Sequence, residues 1–191
     1  RLYIVIPETN NGILMMGADG KFEGFLGAQK VDASPLDLLW RTFMTPEQIA
    51  RTVKYVPTNY NNVALDLEGF VWGTSATTNE AAVLAAIQTR STDSTYAPIR
   101  KFNSAGSDIL ERNGYFPPYG DINVTSSGLN PREGASSIID VTVSRQVYSA
   151  LDTKRNRIFT YDMDGNLLYA FGEPGYKEGC QEQASAIVYK G

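Results

Sequence analysis

Four oxygen-bearing side chains near the end of the chain are spaced like the ligands of a divalent cation. Asp162, Asp164, Asn166 and Glu173 fall at positions 1, 3, 5 and 12 of an EF-hand-like calcium loop, where alternating carboxylate and amide oxygens converge on a hard cation. The match breaks at position 6, which needs Gly for its sharp turn and is Leu167 here. Leu167 to Phe171 reads as strand, so the same residues also read as a hairpin turn around Asp164-Gly165. Two further carboxylate pairs, Asp66 with Glu68 and Asp140 with Asp152, stand near the ends of strand-like runs. Paired acids there would bind a metal or divide the work of general acid and base; as turn residues or solvated surface they would do neither. A third group is aromatic. Tyr115-Phe116-Pro117-Pro118-Tyr119 lies in a stretch rich in Gly, Pro, Asn and Ser. Exposed in a loop, Tyr115, Phe116 and Tyr119 would form a sugar- or peptide-binding surface; folded back, they would only extend the core.

Other chemistry is closed off by composition. The chain of 191 residues has no histidine, which removes Ser-His-Asp and Cys-His nucleophilic machinery and HExxH zinc sites. Its one cysteine, Cys180, forms neither an intrachain disulfide nor a Cys-rich zinc site. Seventeen basic against 21 acidic residues give a net charge of −4, the wrong balance for neutralising phosphates, so no nucleic-acid partner is expected. The densest basic stretch, Lys154-Arg155-Asn156-Arg157, is short and falls at a predicted turn. No apolar run reaches the length of a membrane span. The chain opens on Arg1 and passes at once into the strand-like run Leu2 to Ile6, so a natural N-terminus with any signal peptide is expected upstream.

The elements that position these residues repeat. The clearest copy is Arg157 to Gly172, an alternating strand running through Asp164-Gly165 into a second strand that ends at Gly. Gly12 to Gly27 repeats it around Asp19-Gly20, and Ile99 to Leu110 repeats it around Ala105-Gly106, with Phe102 in the place of Tyr161. Gly in such turns supplies positive φ cheaply. Before the middle hairpin stand Asn62 to Leu67 and Phe70 to Thr74; before the last stand Ser137 to Val143 and Val147 to Asp152; the first has only Leu2 to Ile6. A lone run, Ala184 to Tyr189, follows the last. Units of three, four and four strands plus one make three blades' worth, which is the strand grammar of a β-propeller.

The unit spacing is long: 86 residues from Gly20 to Gly106 and 59 from Gly106 to Gly165. Insertions account for the excess. One covers residues 34–61, where Thr45-Pro46-Glu47-Gln48 reads as a helix start and Ile49, Ala50 and Val53 as an apolar face. Asn79 to Thr89 is Ala-rich and reads as a helical turn or two; Asn113 to Gly134 reads as a long loop.

The phrase Tyr161-Asp-x-Asp-Gly-x-Leu-Leu-Tyr-x-Phe-Gly172 resembles the NHL-like, six-bladed β-propeller superfamily, and the segment Trp40 to Asn62 is similar to an insertion in its bacterial members. The resemblance implies an all-β fold over residues 1–191: a β-propeller of about three four-stranded blades, half of a six-bladed ring, with a short inserted helix. It implies a non-enzymatic binding or scaffold module recognising protein, peptide or glycan, at an extracytoplasmic or cell-surface location and without a cofactor. Some relatives are lactonase-type hydrolases that hold a divalent cation with carboxylates and amides, which is an alternative function here; the His-ligated lyase pattern does not apply without histidine. A third alternative is a purely structural repeat of a larger surface protein. Because three blades leave an open edge, the chain is expected either to be a fragment of a six-bladed protein or to form a homodimer completing a six-bladed ring, with the run Ala184 to Tyr189 supplying the strand that the first blade lacks.

Overall fold

A computed structural model describes residues 1–6, 12–28, 59–75, 79–91, 94–112, 114, 117–121 and 134–189. Four of the hairpins are built on one local device, a five-residue turn with Gly in its fourth place. These are Gly17–Lys21, Asp66–Phe70, Asn103–Ser107 and Asp162–Asn166. In each, the N–H of the Gly donates to the carbonyl of the first residue and the N–H of the first residue to the carbonyl of the fifth. The four glycines sit at φ 77° to 87°, the left-handed geometry of a type I turn closed by a bulge. In three of them the first side chain caps the turn: Asp66, Asn103 and Asp162 each accept the N–H of the fifth residue through Oδ1, at 2.8, 3.0 and 2.8 Å.

These turns fold the chain into three antiparallel sheets. β1 (Leu2–Ile4), β2 (Ile13–Met16) and β3 (Phe22–Leu26) form the first, in that order. β4 (Tyr60–Leu65), β5 (Val71–Ser75) and β6 (Ile99–Phe102) form the second. β7 (Ile138–Val143), β8 (Val147–Asp152), β9 (Arg157–Asp162) and β10 (Leu167–Phe171) form the third. Between β5 and β6 stands the one helix of the described residues, α1 (Glu80–Thr89). Asn79 caps it by accepting the N–H of Ala82, and Arg90 ends it in the left-handed conformation. Its Val83 is buried with Ala97 and Tyr119.

Among the described residues the fold is therefore all-β with one short helix, and three details differ from the sequence expectation. The middle sheet has three strands, not four: Ser107 to Leu110 contributes only an isolated bridge between Phe102 and Asp108. Asp108 itself interrupts the ladder, because its Oδ1 takes the N–H of Lys101 that a fourth strand's carbonyl would take. The run Ala184 to Tyr189 is not a strand either. Asn79 to Thr89 forms a full ten-residue helix where a turn or two is expected, while the expected helix within 34–61 lies outside the described residues.

The sheets stack face to face in one direction. Tyr3, Met15, Ile13 and Leu26 of the first sheet pack on Tyr60, Val63, Val71 and Phe102 of the second. Trp72 and Ile99, on the opposite face of that second sheet, pack on Ile138, Val141, Tyr148, Ala150, Phe159 and Tyr161 of the third. Counting from the common turns, Phe102 corresponds to Tyr161 and Ile13 to Ile99, so both joints bring the same two faces together. We name them the leading face (Tyr60, Val63, Val71, Phe102 and their counterparts) and the trailing face (Ile13, Met15; Trp72, Ile99).

Candidate functional site

β4 and β7 open their sheets at equivalent places. Each carries a bulge, between Tyr60 and Asn62 and between Ile138 and Asp140. After each bulge a side chain accepts the N–H of the next residue: Asn62 from Val63 and Asp140 from Val141. The two strands run side by side in parallel, since Asn61 Nδ2 donates to the Ile138 carbonyl at 2.9 Å and Asn62 Nδ2 to Asp140 Oδ1 at 2.7 Å. Thr74 Oγ1 adds a bond to the Ile139 carbonyl. On the far side of β7 the segment 184–189 takes the corresponding place. Ile187 N–H donates to Asp140 Oδ2 and Tyr189 N–H to Thr142 Oγ1, both at 2.8 Å. Donors two residues apart meet acceptors two residues apart, so this segment also runs parallel to β7.

Asp140 thus ties three chain segments together while 6% exposed. Burial pushes its carboxyl above the usual value, against the N–H groups of Ile187 and Val141, which pull it down.

The ends of these parallel segments converge on one rim. There Leu67, Val143, Ser144, Arg145, Gln146 and Tyr189 line a groove of ≈ 520 Å³. Leu67 is 72% exposed and Tyr189 57%, an unusual expenditure of apolar surface at a turn and a strand-like end. Arg145 is exposed and has no carboxylate partner among the described residues. The groove therefore offers two apolar contacts flanking a cation.

The other carboxylates predicted from sequence hold structure. Asp66 accepts from Phe70 N–H, from Trp72 Nε1 at 2.9 Å and from Lys101 Nζ at 3.3 Å. Glu68 stands exposed in the same turn. Asp152, fully buried, accepts from Ser136 Oγ, Ser137 N–H, Lys154 N–H and Arg155 Nη1. Asp140 and Asp152 have no hydrogen-bond partner in common. Asp162 accepts the backbone and side-chain amides of Asn166; slight burial works to raise its pKa, but the Asn166 amides together with the N–H groups of Asp164 and Gly165 outweigh it and hold the carboxyl below its ordinary value. Asp164 stands exposed in that turn, and Glu173 accepts a long contact from Cys180 Sγ at 3.7 Å. Among the described residues no group of three or more His, Cys, Asp or Glu side chains is placed to hold a metal ion.

Of the aromatic loop, Tyr115 and Phe116 lie outside the described residues. Tyr119 is 4% exposed and packs with Val83 and Ala97, so its ring is part of the core and not of a surface. The groove residues were missed. Their signal in the sequence is the echo of Asn62-Val63-Ala64-Leu65 in Asp140-Val141-Thr142-Val143, together with an apolar Leu67 inside a turn.

No protein-family model matches this chain, and no curated protein matches it. Among the described residues no helix is long and apolar enough to cross a membrane.

Proposed function

We propose that the chain is part of an NHL-like β-propeller and acts as a non-enzymatic binding module that takes a peptide segment of a protein partner at the rim groove. The three sheets serve as blades, with β4, β7 and the segment 184–189 as the strands around the centre. The unidirectional stacking of leading on trailing faces supports the blade reading. The observation that carries the binding reading is the groove itself: Leu67, Val143 and Tyr189 supply apolar area, and beside it Arg145 supplies a cation with no carboxylate partner among the described residues. That pairing suits an apolar side chain next to a carboxylate. Of the paired acids that would bind a metal or act as general acid and base, Asp66, Asp140 and Asp152 are occupied by donors of the scaffold.

A peptide array of apolar–acidic hexamers, probed with the protein and with Arg145→Glu and Tyr189→Ala, tests this. The expected result is binding that both substitutions weaken at least tenfold. Binding indifferent to both, or no binding at all, overturns the groove reading. A rise in melting temperature with Ca²⁺, Mg²⁺, Mn²⁺ or Zn²⁺ together with lactone hydrolysis would put the hydrolase in its place.

A further inference from the structure

The joint between the first and second sheets and the joint between the second and third can be matched position by position from the common turns. Met15 and Lys101 each stand two residues before a turn, opposite Tyr3 and Trp72 on the neighbouring strands. Phe102 and Tyr161 stand one residue before a turn, opposite Val71 and Tyr148. Ser104 and Met163 are the second residues of the turns Asn103–Ser107 and Asp162–Asn166. In the second joint these places hold large side chains. The Tyr148 ring lies between those of Trp72 and Tyr161, with ring centres 4.8 and 5.4 Å from its own, and Met163 packs against the same cluster. In the first joint Tyr3 stands for Trp72 and Phe102 for Tyr161, but Val71 stands for the central ring and Ser104 for the thioether.

The joint with the smaller side chains contains a cavity of ≈ 300 Å³. Tyr3, Met15, Leu26, Val71, Phe102 and Ser104 are among the residues that line it, so both positions trimmed relative to the second joint face the same space. Leu26, Val71 and Phe102 are buried, while Ser104 and Glu68, which also lines the cavity, are exposed. The lining thus passes from an apolar interior to a side that carries a hydroxyl and a carboxylate. Arg1 stands on that side too, but its guanidinium is paired with Glu23 at 2.8 Å. The uncommitted groups there are hydrogen-bond acceptors. Roughly 150 Å³ of apolar cavity suffices for benzene, so this one has room for one or two fused rings. Both of its walls are sheets of this chain already packed on each other, which leaves no access for a further sheet.

We infer that this cavity is a binding site for a small aromatic molecule bearing a hydrogen-bond donor, of the phenol or indole class. Its ring takes between Tyr3 and Phe102 the place that the Tyr148 ring takes between Trp72 and Tyr161, where aromatic contact adds to apolar burial. Its O–H or N–H points to the side of Glu68 and Ser104. The inference rests on the match between the two joints and is independent of the propeller reading and of the rim groove.

Nuclear magnetic resonance tests the inference by following the methyl groups of Met15, Leu26 and Val71 as the protein is titrated with phenol, with indole and with benzoate. Phenol and indole are expected to shift these signals saturably. Benzoate, which brings a charge of the same sign as Glu68, is expected to bind about threefold more weakly or worse. Val71→Tyr and Ser104→Met install the side chains of the second joint. Each is expected to weaken phenol binding by about tenfold or more, because the space for a ring is then filled. Far-ultraviolet circular dichroism identifies misfolding, and if Val71→Tyr does not fold, Ser104→Met decides alone. The absence of any saturable shift overturns the inference. Binding that persists in the folded, filled variants overturns it as well, and so does benzoate bound as tightly as phenol. Arg145→Glu, in the rim groove, is expected to leave these titrations unchanged, so a failure here and a failure of the groove reading are told apart.

Discussion

The two joints of the stack share a geometry and differ in chemistry. Between the second and third sheets Trp72, Tyr148 and Tyr161 form a column, with ring centres 4.8 and 5.4 Å apart. Between the first and second, the place that Phe159 holds in the third sheet is held by Arg100. Its guanidinium is buried, donates to Tyr60 Oη at 2.9 Å and to the Thr95 carbonyl at 3.0 Å, and has no carboxylate partner among the described residues. A buried charge held by neutral acceptors depends on each of them. The aromatic column depends chiefly on shape and is polar only at its two ends, where Trp72 Nε1 donates to Asp66 and Tyr161 Oη accepts the Gly120 N–H. One scaffold thus tolerates both a packed joint and a polar one, provided the leading-face positions stay filled.

The largest effect that separates the joints is truncation in the column. Tyr148→Ala should cost about 3–5 kcal/mol in chemical denaturation, since it opens a cavity under Trp72. The hydroxyls sharpen the contrast. Tyr148 Oη is buried without a hydrogen-bond partner among the described residues, so Tyr148→Phe should be neutral or stabilising by up to about 1 kcal/mol. Tyr60→Phe removes an acceptor from buried Arg100 and should cost about 1.5–3 kcal/mol. Equal effects of the two Phe substitutions would break the comparison.

A middle-sized effect distinguishes two copies of the same turn. Gly20 and Gly165 both need positive φ, at 77° and 85°, but a Cβ on Gly20 meets open space and one on Gly165 runs into the carbonyl oxygen of Glu111. Gly20→Ala should cost about 1–2 kcal/mol from backbone conformation alone. Gly165→Ala should cost measurably more, because backbone must move as well.

The smallest effect contrasts Asn62 with its counterpart Asp140. Asp140 accepts from three N–H donors, and an amide there turns its own N–H₂ toward one of them. Asp140→Asn should therefore speed hydrogen exchange at the Ile187 amide while leaving Phe159 unchanged. Because burial raises the Asp140 pKa, the folded chain holds that proton more tightly than the unfolded one. Its contribution to stability is full below the ordinary carboxylate range and is lost as pH rises through the raised value. Wild type should lose stability relative to Asp140→Asn across that acid interval, in denaturation series at matched ionic strength.

Much of the architecture was legible because it is local. Asp-Gly and Ala-Gly turns between alternating runs announce hairpins: the turns at Gly20, Gly69, Gly106 and Gly165 all close, and all but the one at Gly106 join two strands. The missing fourth strand of the middle sheet was not legible, since it depends on where the Asp108 side chain turns. The functional reading suffered in the same way. Asp140 and Asp152 look alike as acids near strand ends, and only the structure shows one joining three segments and the other buried against Arg155. The burial of Tyr119 depends on α1 folding over it, a contact between residues 36 positions apart from Val83 to Tyr119.

The unidirectional stack also governs how the molecule comes apart. Among the described residues the sheet β4–β6 is the only one with another sheet packed on each face. Stability in such an array behaves as a sum over nearest neighbours. Opening an outer sheet sacrifices one joint, whereas opening the middle one sacrifices two. Protection of backbone amides should accordingly be graded along the stack, deepest at Trp72 and shallowest toward β3 and β10, so that the chain frays from its flanks inward while its centre persists as the last structured element.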